Sequence, residues 1–258
     1  MGSLLSILAV GFALGMRHAT DPDHVIAVTT IVARQRSIRS AALIGALWGL
    51  GHTLTIVAVG TAIIGFGVVI PPRLGLTMEF SVGVMLIVLG VLTLSGFLDR
   101  LRGAHVHPHP HGDFVHAHAH AHAPEAHGHD ESATPLARID AWFRGVGLYQ
   151  AVRPLVVGIV HGLAGSAAVA LLVLVAIPEP AWGVLYLLVF GAGTVAGMIL
   201  ITATTAAPFA YTAHRMVRFN RWLAVGSGVL SVAFGLFVVY DLGVVKGLFG
   251  ANPQWTPR

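Results

Sequence analysis

Residues 17–25 read Arg17-His18-Ala19-Thr20-Asp21-Pro22-Asp23-His24-Val25, and they lie inside an apolar run that extends over 4–32. Its apolar start, 4–16, is too short to cross a bilayer core, which takes about 20 residues. Pro22 removes a backbone donor, clashes with the preceding turn and pushes Asp21 away from helical geometry. The run 4–32 is therefore expected to make one crossing from two half-helices, broken at 20–23. One charge at a bilayer centre costs about 2.5–3.5 kcal/mol on insertion scales. Arg17, Asp21 and Asp23 facing lipid together would cost on the order of 8–10 kcal/mol. They must face a bundle interior, pair, or bind an ion.

The rest of the chain has the composition of such a bundle. Its 258 residues are 55% apolar and 10% charged, with a mean hydropathy of +0.80. An average soluble domain is roughly 25% charged, so a polar shell cannot be built, and disorder is excluded by the same numbers. There is no cysteine, which rules out disulfides, zinc ribbons, iron–sulfur clusters and thiolate chemistry. The start, MGSLLSILAVGFALG, has no basic n-region and no A-x-A site, so a cleaved signal peptide is not expected. Six apolar runs reach span length: 4–32, 41–70, 80–98, 154–177, 181–206 and 222–245.

Basic residues orient these spans. Eleven fall on one side: Arg34, Arg36 and Arg39, then Arg100, Arg102, Arg138, Arg144 and Arg153, then Arg215, Arg218 and Arg221. The other side has three, Arg73, Lys246 and Arg258. Both termini are expected outside a plasma membrane and the loop 99–153 in the cytoplasm. The basic residues mark topology and imply no nucleic-acid partner. Within the loop, 105–129 is low-complexity, with no apolar content to fold. Residues 135–149 carry Trp142, Phe143 and Tyr149 beside Arg138 and Arg144, a mix that suits a short interfacial helix.

The chain also repeats itself. Gly15-Met16-Arg17-His18 matches Gly158-Ile159-Val160-His161, and Trp48-Gly49-Leu50-Gly51-His52 matches Phe190-Gly191-Ala192-Gly193-Thr194. His18 to Gly51 is 33 residues and His161 to Gly193 is 32. Gly83 and Gly90 in span three answer Gly228 and Gly235 in span six. Three crossings per repeat force opposite orientations, an arrangement found in secondary transporters with sites near the midplane. The expected fold is all-α and integral to the membrane: six helices as two inverted three-helix repeats, the first helix broken. Its parts are residues 1–98, a cytoplasmic His-rich loop with its interfacial helix at 99–150, and residues 151–258. Gly11/Gly15, Gly45/Gly49, Gly158/Gly162 and Gly193/Gly197 are small-xxx-small pairs that let helices approach closely.

On an unbroken helix His18 and His24 would sit about 9 Å apart along the axis, too far for one ion. A break lets them converge. The candidate metal residues are His18, Asp21, Asp23 and His24, joined by His52 in span two and His161 in span four. Neutral imidazoles with carboxylates suit Ni, Co, Zn or Fe; calcium and magnesium prefer all-oxygen shells. Auxiliary ligands lie in the loop at His105, His107, His109, His111, His116, His118, His120, His122, His127 and His129. Such a tract binds Ni, Co, Zn and Cu with little choice, as a cytoplasmic buffer or sensor. His214, beside Arg215, reads as solvated.

Residues 17–25 resemble the His-x4-Asp-His signature of nickel/cobalt permeases. Leu50-Gly51-His52-Thr53 looks like their second signature, and 158–167 resembles the branch of urease-accessory or nickel-permease membrane proteins. The resemblance spans both halves and excludes the His loop. It implies transport of Ni2+ or Co2+ as substrate with no prosthetic group, and metal recognition by His18, Asp23, His24 and His52. It further implies cytoplasmic metallochaperones, or urease or hydrogenase maturation factors, as partners. The chain departs from the eight-span permeases in having six spans. Their later Asp-Thr signatures are missing; residues 191–198 read Gly-Ala-Gly-Thr-Val-Ala-Gly-Met.

The expected activity is transport by alternating access rather than enzymatic. A membrane metalloenzyme would need several His boxes. Only five His lie outside the loop, and no His-x-x-His-His or His-Glu-x-x-His occurs. A non-transporting accessory or sensor protein is the alternative, and it would not need the inverted repeat or a broken polar helix.

Overall fold

The computed structural model describes residues 2–33, 37–67, 70–101, 105–111, 114–120, 152–164, 177 and 179–255. Its helices are α1 (Gly2–His18), α2 (Pro22–Val32), α3 (Ile38–Phe66), α4 (Pro72–Leu101), α5 (Val152–Ala164), α6 (Pro180–Arg215) and α7 (Val217–Tyr240). A π-helical turn, Asp241–Val245, follows α7. Among the described residues, α3, α4, α6 and α7 are long and apolar enough to cross a membrane, and α1, α2 and α5 are shorter apolar helices. The protein is a multi-pass membrane protein.

The first apolar run is broken where the sequence indicates. Asp21 caps α2 in extended geometry, with φ −60° and ψ 143°, and Pro22 opens the helix. Its fixed φ suits the first helical position, where no donor is needed. The last turn of α1 tightens as Thr20 N donates to Arg17 O at 2.8 Å and Asp21 N to His18 O at 3.1 Å. Arg17 faces outward, exposed.

Glycines set the helix crossings. Gly15 of α1 lies on the α6 backbone at Phe190 and Thr194, and Gly193 of α6 lies on Phe12 of α1. Gly158 of α5 lies on Trp48 and His52 of α3, and Gly51 of α3 on Leu155 of α5. The antiparallel pair α4 and α7 crosses twice, Gly83 against Gly235 and Gly90 against Gly228. A Cβ at most of these positions would strike main chain, so the close approach requires glycine. Hydroxyls add ties between helices: Ser231 Oγ donates to Leu86 O at 2.8 Å, and Thr53 Oγ1 to Gly191 O at 3.1 Å. The largest apolar core joins Val28 and Val32 of α2 with Trp48, Leu86, Met198 and Phe209.

Two boundaries differ from the sequence reading. The run expected at 80–98 belongs to α4, which begins at Pro72 and takes in Arg73 and Glu79. The fifth run continues through Pro208 to Arg215, so His214 lies in a last helical turn and not in a loop. Thr212 Oγ1 donates to Pro208 O at 2.7 Å beyond the proline. The expectation that 105–129 has no folded structure is also corrected. Residues His105–His111 (β1) and Phe114–His120 (β2) pair as an antiparallel hairpin, with His105, His107 and His109 opposite His120, His118 and His116. HVHPHPH and FVHAHAH alternate with the period of a strand. His122, His127, His129 and the interfacial helix expected at 135–149 lie outside the described residues.

Candidate metal centre

The break in the first span builds the site. It turns α2 so that the His18 and His24 ring centroids lie 4.8 Å apart. α3 brings His52, whose ring is 5.1 Å from both. α5 brings His161, 4.2 Å from His24. Trp48, one turn before His52, is fully buried and packs against both His24 and His161, with ring centroids at 6.1 and 5.5 Å. His24, His52 and His161 are buried, at 2%, 1% and 2% exposure.

Two groups of three can each hold a metal ion: His18, His24 and His52, and Asp23, His24 and His161. Within each group the candidate ligand atoms all lie within 4.8 Å of one another. His24 belongs to both. His18 Nε2 and His52 Nε2 are 3.1 Å apart, and His161 Nε2 and Asp23 Oδ2 are 2.9 Å apart. Ligands about 2.0–2.1 Å from one ion sit roughly 3.0–3.4 Å from each other. Both pairs are close to ligand spacing.

Asp21 belongs to neither group. Its Oδ2 lies 2.7 Å from His18 Nδ1, where the ring N–H donates to the carboxylate. A neutral His18 then presents its Nε2 lone pair. A carboxylate behind a ring nitrogen fixes the tautomer and orientation of a metal-binding imidazole. Four nitrogens here, His24 Nε2, His52 Nδ1, His161 Nδ1 and Trp48 Nε1, are buried without a hydrogen-bond partner. Such groups are rare in folded proteins and call for an explanation.

The chain is 37% identical over 247 residues to urease accessory protein UreH of Bacillus sp. (strain TB-90), covering 95% of this chain and 96% of the relative. The chain belongs to the UreH family. That family is the urease-accessory branch of nickel/cobalt permease-like proteins whose motifs the sequence resembles. No family model matches the chain, and no solved structure matches it.

Five of the six residues selected from the sequence outside the His loop thus stand together in this UreH-family protein, with the sixth, Asp21, behind His18. The side chains of His105, His107, His109, His111, His116, His118 and His120 lie outside the described residues, as do His122, His127 and His129 entirely. Sequence reasoning missed Trp48 in this role, and it missed Glu79 and Asp241, which line the same cavity of about 390 Å³ as Asp23, His24 and His161. Trp48 could have been found from its place in the repeated Trp-Gly-Leu-Gly-His run. Glu79 and Asp241 carried no motif.

Proposed function

We propose that the protein moves a divalent transition metal, Ni2+ or Co2+, across the membrane through the His/Asp cluster by alternating access. Five metal-ligating side chains from three separate stretches of chain converge beside unpartnered buried nitrogens, and this observation carries the reading. His18, Asp23, His24, His52 and His161 are the proposed ligands, and Asp21 holds the His18 ring. Loading needs deprotonated ligands and so releases protons. The loop histidines 105–129 are proposed as a cytoplasmic metal buffer, with both termini outside. Urease or hydrogenase maturation factors are the proposed cytoplasmic partners.

The two inverted three-helix repeats belong to this proposal. Gly15 on Phe190 and Thr194 has its counterpart in Gly158 on Trp48 and His52. Gly193 on Phe12 has its counterpart in Gly51 on Leu155. Gly83–Gly235 and Gly90–Gly228 are likewise counterparts. Every match of the repeat recurs as an exchanged contact between the halves, which supports a pseudo-twofold axis. The same contacts support 1–98 and 151–258 as its two units.

The test is Ni2+ flux into proteoliposomes, parent protein beside His24→Ala, with Co2+, Zn2+ and Mn2+ as competitors. Saturable flux lost in the variant is the expected result. The name of the relative favours a second reading, a membrane accessory protein that binds metal without transporting it. Metal binding with no flux under any imposed gradient would select that reading and overturn transport.

A further inference from the structure

The cavity beside the cluster continues past it. Its wall runs from Asp23 and His24, along Val82 and Val238, to Glu79 and Asp241. Beside that far end stands Lys246, whose Nζ lies 4.0 Å from Glu79 Oε2 and 3.9 Å from Asp241 Oδ2. Direct charge-assisted bonds are about 2.7–2.9 Å long, so the ammonium stands between the carboxylates without being seated on either.

The arrangement is built by the segment after the π-helical turn. Lys246 N donates to Asp241 O at 2.8 Å and Gln254 N to Lys246 O at 3.0 Å, folding the chain back over the start of α4. Trp255 Nε1 then donates to Glu79 Oε1 at 2.9 Å, which leaves Oε2 toward the lysine. The Trp255 ring occupies the space a Cβ on Gly75 would need. At the inner end the same cavity is lined by His24 and His161, each with a buried unpartnered nitrogen. One end offers the Asp23 carboxylate and the His24 and His161 rings. The other offers the Glu79 and Asp241 carboxylates, with one ammonium on a flexible stem between them.

We propose that this cavity is the ion's path between the His/Asp cluster and the membrane face bearing Pro72 and Lys246, with the Lys246 ammonium as a tethered counter-ion on it. The ammonium rests between Glu79 and Asp241 until a dication displaces it. A monovalent cation gains too little from the two carboxylates to displace an ammonium already there, whereas a dication neutralises both. Lys246 thereby acts as a positioning and selecting residue for the route. The inference deepens the transport reading and rests on it.

The test is the initial rate of Ni2+ flux in proteoliposomes against Ni2+ concentration, for the parent, Lys246→Met and Glu79→Gln. Lys246→Met keeps the apolar stem and removes the charge. Its KM is expected to fall roughly three- to tenfold at low ionic strength, with the difference fading in high salt. Its flux is expected to become sensitive to K+, which the parent resists. Glu79→Gln is expected to raise KM by a similar factor. Asp241→Asn repeats the carboxylate arm should Glu79→Gln fail to assemble. The chain has no cysteine, so Val238→Cys gives a single thiol on the cavity wall. A membrane-impermeant thiol reagent should reach it from one face only, and Ni2+ should slow the labelling. Parent flux with KM unchanged in the charge variants, or a thiol sealed from both faces, overturns the counter-ion route and leaves transport standing. Absence of flux in the parent overturns both.

Discussion

Replacing Gly162 with alanine tests the placement of α5 on α3, and with it the site. An added Cβ would stand 2.7 Å from His52 O, 2.9 Å from Thr55 Cβ and 3.1 Å from His52 Cα. Two of these obstacles are main chain and cannot rotate away. Non-bonded carbon contacts are comfortable near 3.5–4.0 Å, so α5 must retreat by roughly 0.5 Å or more. Metal–ligand distances tolerate only about 0.2 Å. The retreat carries His161 away from Asp23 and displaces the wall behind His52. Overpacking of this kind costs about 1–3 kcal/mol. Ni2+ affinity should fall about ten- to hundredfold, the range for loss of a supporting contact. Gly226→Ala is the control, because nothing lies within 4 Å of its Cβ. Alanine inside a helix gains about 0.5–1 kcal/mol over glycine, so this variant should melt at or above the parent. Gly11→Ala should fall between them, since its nearest obstacles are atoms of the Tyr186 ring. The assays are thermal unfolding in detergent and calorimetric Ni2+ binding. Gly162→Ala melting with Gly226→Ala and binding Ni2+ as tightly would refute the described packing.

Asp21→Asn keeps an acceptor for His18 Nδ1 but removes its charge. Ni2+ affinity should drop about tenfold, the low end for an outer partner, and an unchanged binding isotherm would show that Asp21 does not orient the ring. Pro22→Ala restores a backbone donor and lets α1 join α2, which would move His18 and His24 toward the roughly 9 Å axial spacing of a continuous helix. Ni2+ binding should be lost with helical circular dichroism kept or raised; retained binding would mean that packing alone maintains the break. Deleting 105–129 should slow metal uptake at limiting Ni2+ and spare it at saturation, and an equal rate at limiting metal would remove the buffer role.

The His18–His24 stretch was legible because its chemistry and its helix break lie in one local run. A proline, two aspartates and two histidines inside an apolar span admit few readings, and Pro22 alone accounts for the geometry at Asp21. His161 was legible through the repeat, as the residue matching His18, and within the family-like segment 158–167. Glu79 was not legible. It falls just outside the run expected at 80–98, whereas α4 starts at Pro72 and carries it. Asp241 read as part of an apolar run, and its link to Lys246 depends on a π-helical turn and a fold-back that leave no periodic trace. Trp48 entered the sequence reading only as the start of a repeated run; the α3–α5 crossing makes it the wall behind His24 and His161. The hairpin was missed because alternation was weighed as low complexity and not as strand period.

The contacts and the chemistry divide unequally between the halves. Trp48 and His52 face Gly158 just as Phe190 and Thr194 face Gly15, so the backbone crossings are duplicated. The side chains are not. Thr194 stands where His52 stands in the other half, and its hydroxyl donates to Phe190 O at 3.1 Å within its own helix. It is fully buried and offers no imidazole. Four of the five clustered side chains come from the first half, and the second contributes His161 alone. A fully duplicated chemistry would set two equivalent ion sites about the proposed axis. Keeping the crossings while losing the second set of ligands leaves one cluster within a scaffold that retains two similar halves. That combination is what alternating access requires: two arrangements of comparable packing, exchanged around a single place where the ion is held.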